Sequence, residues 1–306
     1  MIPIRELEKN ELSKKNGTYG GRSGSKDGIL IDGEEWLIKY PRKLHEEGRV
    51  FYSTSPISEF VGSNVFRILG YGVQETILGI RHGKLIVACK DFATNGTLLL
   101  EYRTLKNHVA SGYKESSTTG KNELSLNTIM QQLDNNPILN NIPNIKSHFF
   151  EQSLVDIFIN NPKRDNENWG ILREEGVADK VAPIYDNGNS FLADLSDKAI
   201  EQIMKNTEHN EFAGSIITAY EENGRVLSAH EFIDRCSVYP DFCKAMDHVK
   251  QSIKIHMDEI NGFIDEIPET YIKDDGEALE VCSKTRKDFY KYQLKIGYEV
   301  VLLSFS

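Results

Sequence analysis

The sequence predicts an α+β fold in two lobes: a small β-rich lobe over residues 1–95 and a larger, mainly helical lobe over residues 96–306. Three observations carry that expectation. Apolar runs flank Asp32-Gly33, and others flank Arg81-His82-Gly83, the pattern of two β-hairpins. Between them, apolar side chains recur at helical spacing over residues 56–69. Beyond a polar joint at residues 91–96, strand-like alternation fades and helical periodicity takes over.

Composition is compatible with this and excludes other classes. A chain of 306 residues can bury a core without covalent staples. With 39% hydrophobic and 27% charged residues it is not a disordered chain. Thirty-six basic against 46 acidic residues give a net charge of −10. That balance argues against direct nucleic-acid binding and against an anionic membrane as the working surface, and leaves room for one basic cleft. The cysteines Cys89, Cys236, Cys243 and Cys282 are scattered and form no CxxC pair, so neither a disulfide framework nor a zinc site is expected. A reducing compartment, the cytoplasm, fits them best. The first residues, MIPIRELEKNELSKK, have no signal-peptide core. The apolar runs stop at about eight residues, too short to span a membrane. Export by a signal-independent route is left open by these features. There is no internal repeat.

The elements follow in order. GTYGGRSGSK, residues 17–26, reads as a loop. GILIDGEEWLIKYP is a hairpin with a type I′ turn at Asp32-Gly33. Ser55 is placed to cap the next helix, Pro56 suits its first turn, and Gly70 and Gly72 end it. VQETILGI and KLIVAC form the second hairpin. GYKESSTTGKN, within residues 111–122, reads as a polar surface loop. Residues 147–160 form a helix that is apolar on most sides and so belongs in a core. NWGILR and KVAPIYD are short strands, and residues 197–306 read as helices with polar connections.

Four segments along this order bear chemistry. The glycines of Gly20-Gly21-Arg22-Ser23-Gly24-Ser25 let backbone N–H groups approach an anion, although the segment is no Walker A motif and alone reads as a surface loop before it reads as an anion site. Lys39 lies among apolar neighbours on the second strand after that loop, with Glu59 in the following helix as its natural partner. The run Asn160-Asn161-Pro162-Lys163-Arg164-Asp165-Asn166-Glu167-Asn168 follows the apolar helix directly and is tied to a core by Trp169 and Ile171. Asp186 ends an apolar strand, where a carboxylate can hold a hard cation or simply form a turn.

Together these segments resemble the HipA-like serine/threonine kinases, in particular the compact CtkA-type branch. YGGRSGSK, WLIKYP, SEFVGSNVFRILG, VQETILGIRHGKLIVACKDF, NENWGIL and APIYDNGNS carry the resemblance over most of the chain. It implies a bilobal protein-kinase-like fold and an ATP- and Mg²⁺-dependent serine/threonine protein kinase. Lys39 would contact the α/β phosphates, with Glu59 orienting it. Ala88, Cys89, Lys90 and Asp91, with Phe92, would be the hinge that reads adenine. Asn168 and Asp186 would hold Mg²⁺, and the loop at Gly20–Ser25 would cover the phosphates. Ser23 and Ser25 would be autophosphorylation sites, whose added charge would eject that loop. A protein substrate is implied, and an antitoxin-type partner is admitted. Arg22, Lys26, Lys39, Lys163 and Arg164 would gather positive charge at one phosphate site on an acidic body.

One position departs from the family's pattern, Asp-Arg-His-x-x-Asn before Trp-Gly. Lys163 stands where the catalytic aspartate is expected, Arg164 matches, and Asp165 stands where the histidine is expected. Three readings stay open. Asp165 takes over as general base; or Lys163 neutralises the γ-phosphate while activity falls; or the chain is a pseudokinase that binds nucleotide as an interaction module. The same loop pattern occurs in phosphatidylinositol kinases, so a lipid or small-molecule kinase is the third functional class.

Overall fold

Asp32 and Gly33 have positive φ values of 54° and 82°, as do His82 and Gly83 at 54° and 67°. Both pairs have the left-handed backbone that a type I′ hairpin turn demands, and both close antiparallel ladders at the expected places. The computed structural model describes residues 1–16, 26–94, 96–110, 124–273 and 276–305, with the side chains of 107–110 left aside. The glycine-rich loop residues Gly20–Ser25 and the polar segment expected at 111–122 therefore lie outside the described residues.

The amino-terminal part runs β1 (Arg5–Glu6), β2 (Lys26–Ile31), β3 (Glu34–Lys39), β4 (Lys43–Glu46), β5 (Arg49–Tyr52), α1 (Ser55–Ile68), β6 (Thr76–Arg81) and β7 (Lys84–Lys90). Five strands form one sheet in the order β1-β6-β7-β3-β2. It is antiparallel except for β1, which runs parallel to β6. Side chains alternate across it. Ile29, Ile31, Trp36, Ile38 and Ile86 pack together on one face, whereas Leu37, Leu78, Val87 and Cys89 join the core that contains α1. Lys39 shares the parity of Leu37, which is why a cation can stand on the α1 side of an apolar strand.

The helix expected over residues 56–69 spans 55–68. Ser55 does not cap it. Thr54 takes the cap position without a side-chain cap bond, and its backbone N–H instead donates to the Ala193 carbonyl at 2.9 Å. Every α1 residue from Pro56 to Phe66 is buried. The hairpin of β4 and β5 was not expected from the sequence; Glu47 and Gly48 turn it with φ of 48° and 78°.

The remainder runs β8 (Leu98–Glu101), α2 (Tyr102–Ala110), α3 (Leu126–Asn135), α4 (Ile145–Phe158), β9 (Gly170–Arg173), β10 (Lys180–Val181), α5 (Asp197–Asn206), α6 (His209–Ser215), β11 (Ile217–Glu222), β12 (Arg225–Ser228), α7 (Ala229–Cys236), α8 (Pro240–Glu266), β13 (Thr270–Ile272), β14 (Ala278–Glu280) and α9 (Lys284–Ile296). The expectation that residues 197–306 are helices and connections is corrected: β11–β12 and β13–β14 are hairpins there. Asn223 and Gly224, with φ of 52° and 76°, make the first of them, an Asn-Gly turn signal in plain view in the sequence. The strand after Trp169 is also part of a larger unit, a sheet of order β10-β9-β8.

Helix α4 lies in the main core with Phe149, Phe150, Leu154, Val155, Ile157 and Phe158 buried, and it packs along α8. Helix α1 belongs to the same core and touches α8 as well as β6 and β7. One apolar cluster thus supports both α1 and the loop that follows α4. Among the described residues no helix is long and apolar enough to cross a membrane, and all four cysteines are free thiols.

Candidate active site

Helix α4 carries a buried carboxylate, Asp156, in an otherwise apolar stretch. An ionised group there is unfavourable without a cation and further hydrogen bonds. Arg164 supplies both. Its Nε and one Nη bind the two Asp156 oxygens, each at 2.8 Å. The same Nη reaches Asn187 Oδ1 at 2.6 Å, and the other donates to the carbonyls of Asn168, at 3.1 Å, and of Tyr185. All five guanidinium donors are in use, and Arg164 is only 1% exposed. Burial pushes the Asp156 carboxyl up, and Arg164 opposes that rise.

Arg164, expected as a catalytic residue and as part of the phosphate-facing charge, is placed in the interior beside Asp156. Its charge is turned inward and matched by Asp156. It is a positioning residue that ties α4, the loop before β9 and the strand at Tyr185 to one point. The end of α4 explains the loop's direction: Asn160 takes a left-handed φ of 51°, and the N–H of Asn161 donates to the Asp156 carbonyl at 2.7 Å.

Lys39 stands between two carboxylates. Its Nζ is 2.7 Å from Glu59 Oε2 and 2.8 Å from Asp186 Oδ1. Burial works against the ammonium, but Asp186 and Glu59 hold its pKa well above the ordinary lysine value. Burial likewise works against Asp186, yet Lys39 foremost, then Lys26 and Arg164, hold its carboxyl below the usual range. Glu59 is fully buried and does two jobs, because its other oxygen accepts the N–H of Asn187 at 2.9 Å. Asp186 itself has φ of 60°. The left-handed turn directs the next residue back against α1, where Asn187 Nδ2 donates to Ser63 Oγ at 3.0 Å. Gly62 makes the approach feasible: a Cβ there would lie 2.9 Å from the Asn187 Cβ.

Asn168 is held by its Nδ2, which donates to the Lys163 carbonyl at 2.9 Å. That leaves Oδ1 as an acceptor. With the second oxygen of Asp186 it offers hard oxygen ligands of the kind Mg²⁺ takes together with substrate phosphates. Among the described residues no cluster of three His, Cys, Asp or Glu side chains could hold a metal alone. A two-ligand set completed by phosphate oxygens fits Mg²⁺ better than a metal with an all-protein cage. Trp169 stacks on Tyr102 with ring centroids 4.4 Å apart, and the next residue must be glycine, since a Cβ on Gly170 would lie 2.2 Å from the Leu100 carbonyl oxygen. The Trp-Gly pair thus fixes the loop against β8.

Asp165 and Lys163 lie at the outer edge. Asp165 is half-buried, and its Oδ1 accepts the Glu167 N–H at 2.9 Å. Burial raises its pKa, helped by the charges of Glu167 and Asp186. Lys163 is exposed, and its ammonium has no partner among the described residues. Of the hinge expected at 88–91, Ala88, Cys89 and Lys90 are within β7 between β3 and β6, with Ala88 and Cys89 fully buried. Only Asp91 and Phe92 lie past the strand end. The Asp91 N–H donates to the Glu35 carbonyl at 2.9 Å, Lys15 Nζ is 2.7 Å from Asp91 Oδ2, and the Phe92 ring meets Tyr185 at 5.6 Å. Sequence reasoning missed Asp156, Asn187, Tyr185 and Ser63. An aspartate inside the run SLVDIFIN was a usable signal, because it requires a buried cation; the other three had none.

No protein-family model matches the chain. Over 274 residues it is 28% identical to the serine/threonine-protein kinase CtkA of Helicobacter pylori strain J99, spanning 87% of this chain and 80% of the relative. The crystal structure of the H. pylori proinflammatory kinase CtkA aligns with a TM-score of 0.81 at 24% identity, over 98% of this chain and 96% of that one. The chain is similar to CtkA in sequence and shares its fold, the HipA-like kinase fold. A chain of the Shewanella oneidensis MR-1 toxin–antitoxin complex of HipA, HipB and operator DNA shares the fold more distantly. Its TM-score is 0.59 at 13% identity, over 94% of this chain and 67% of that one. In this chain the residues matching the HipA-like pattern, Lys39, Glu59, Asn168 and Asp186, lie in one connected network, with Lys163 and Asp165 beside it.

Proposed function

We propose that this protein is a serine/threonine protein kinase that uses ATP and Mg²⁺. The single observation that carries the reading is Lys39 held between Glu59 and Asp186, with the Asn168 amide fixed so that its oxygen stays available. Kinase activity in general is supported by the kinship with CtkA. Lys39 would bind the α/β phosphates, and Glu59 would keep its ammonium in place. Asn168 and Asp186 would hold Mg²⁺, which when bound neutralises charge on the phosphates. Asp165 would accept the proton of the substrate hydroxyl as the new O–P bond forms and the bond from the γ-phosphorus to the bridging oxygen breaks, releasing ADP. Its raised pKa suits that role, since a stronger base takes a proton more readily. Phe92 and the backbone beyond β7 would meet the adenine, and Ser23 and Ser25 would be autophosphorylated.

A second reading has its own observation. Lys163 is exposed, and unpaired among the described residues, at the position where the family's pattern has its aspartate, which favours a nucleotide-binding module that no longer transfers phosphate. The fold shared with HipA adds an antitoxin-type protein as the partner of such a module. Calorimetry with Mg·ATP and phosphate incorporation from γ-labelled ATP separate the two. Binding with incorporation, both lost in Asp186→Asn, supports the kinase. Binding without incorporation, on itself or on a generic protein substrate, supports the module. Phosphopeptide mass spectrometry after ATP treatment reads Ser23 and Ser25 directly.

A further inference from the structure

Beside α1 lies an open pocket of about 630 Å³, lined by the amino-terminal residues, the segment leading into β6, and the end of α8. Its size matches sites that take small organic ligands. Phe60, Leu78 and Phe263 supply an apolar lining, while Ser63, Asn64 and Arg67 line it from α1. Ser63 and Arg67 are four residues apart, so they stand next to each other on one helix face.

The polar part is built rather than incidental. Asn64 is buried; its Nδ2 donates to the Phe60 carbonyl at 2.8 Å, and its Oδ1 accepts Nε and one Nη of Arg67 at 3.0 and 2.6 Å. The guanidinium is thereby oriented, with its other Nη unpartnered among the described residues. The remaining charges on the lining are matched. Arg5 is 3.3 Å from Asp32, Glu75 is 3.6 Å from Lys90, and Glu266 is 3.6 Å from the Met1 amino group. Arg67 has no carboxylate within reach among the described residues. Ser63, 1% exposed, accepts a hydrogen bond from Asn187, while its own proton finds no acceptor among the described residues. Two donors, one of them cationic, adjoin an aromatic and aliphatic lining.

We propose that this cavity binds a small aromatic anion, its acidic group on Arg67 and Ser63 and its ring system on Phe60, Leu78 and Phe263, and that its occupancy tightens nucleotide binding. The link is short. Ser63 Oγ holds Asn187, and Asn187 holds Glu59, the partner of Lys39. An acceptor on the Ser63 proton polarises the hydroxyl and strengthens the bond it receives from Asn187. Coupling of this kind is reciprocal, so nucleotide must also tighten the anion. The coupling rests on the nucleotide reading above; the binding of the anion does not.

The test uses 8-anilinonaphthalene-1-sulfonate as the probe, read by fluorescence on the full chain, without nucleotide and then with Mg·ATP. Expected are saturable one-site binding, a loss of about tenfold in affinity in Arg67→Gln, no binding in Thr76→Trp, which fills the cavity, and a several-fold tighter Mg·ATP affinity with probe present. Circular dichroism checks that Thr76→Trp folds, and Arg67→Gln carries the test alone if it does not. Equal probe affinity in parent and Arg67→Gln overturns the site. Probe binding that leaves Mg·ATP affinity unchanged overturns the coupling. Failure of the parent to bind Mg·ATP at all overturns the kinase reading and the coupling with it, while the probe titrations still decide the cavity.

Discussion

In the inner part of the site, Arg164 uses all five donors to join α4, the loop before β9 and the strand at Tyr185. One residue earlier, at the outer edge, Lys163 has the same charge and no partner among the described residues. The contrast shows which kind of position tolerates change. Replacing a buried, fully bonded ion would leave Asp156 uncompensated, whereas replacing an exposed one disturbs almost nothing in the folded protein. The inner residues are where this chain agrees with the HipA-like pattern, and the rim is where it departs.

The comparison can be broken at several strengths. The largest effect is expected for Asp186→Asn, which removes the carboxylate proposed to hold Mg²⁺ and one partner of Lys39. Phosphate incorporation should fall on the order of 10³-fold or more, measured with γ-labelled ATP. Arg164→Met should follow. Stranding Asp156 costs about 3–5 kcal/mol, and thermal denaturation should show a Tm lower by on the order of 10 °C. Asp165→Asn should slow transfer by about 10²-fold, the lower end for a general base, because phosphoryl transfer is mainly positioning and charge neutralisation.

The pH dependence sharpens the same division. Asp165 has a raised pKa, so the acid limb of the rate profile should lie above the ordinary aspartate value of about 3.9 and disappear in Asp165→Asn. The Lys39–Asp186 pair behaves differently. Asp186 is lowered, so its stabilising contribution is present above its unfolded pKa and lost as pH falls through the folded one. Lys39 is raised, so its contribution is complete below its unfolded pKa and lost as pH rises through the folded one. Stability from this network should be flat between about pH 4 and pH 10 and fall on both sides, with Lys39→Met removing the alkaline fall. The smallest effect is expected for Lys163→Ala, whose denaturation midpoint should match the parent within about 0.5 kcal/mol.

Much of the inner site was legible in the sequence because local rules suffice there. Asp32-Gly33 announces a hairpin, alternation places Lys39 on the α1 face, and residues 56–69 announce the helix that carries Glu59. What stayed hidden depends on contacts distant in the chain. Arg164 looks like a phosphate ligand until Asp156, on the preceding helix, is seen to take its charge. Asn187 looks like a turn residue until Gly62 lets it approach α1. The hairpin at Asn223-Gly224 was a local signal passed over in a region dominated by helical periodicity. The cavity beside α1 could not be read at all, since its walls come from separate parts of the chain.

The central claim is that this frame still drives transfer, with Asp165 in place of the family's aspartate. Single-turnover phosphate transfer from Mg·ATP in the parent, Asp165→Asn and Lys163→Asp tests it most directly. The expected result is transfer by the parent and a loss of about 10²-fold in Asp165→Asn at unchanged nucleotide affinity. A parent that binds Mg·ATP but transfers nothing, while Lys163→Asp does, would contradict it.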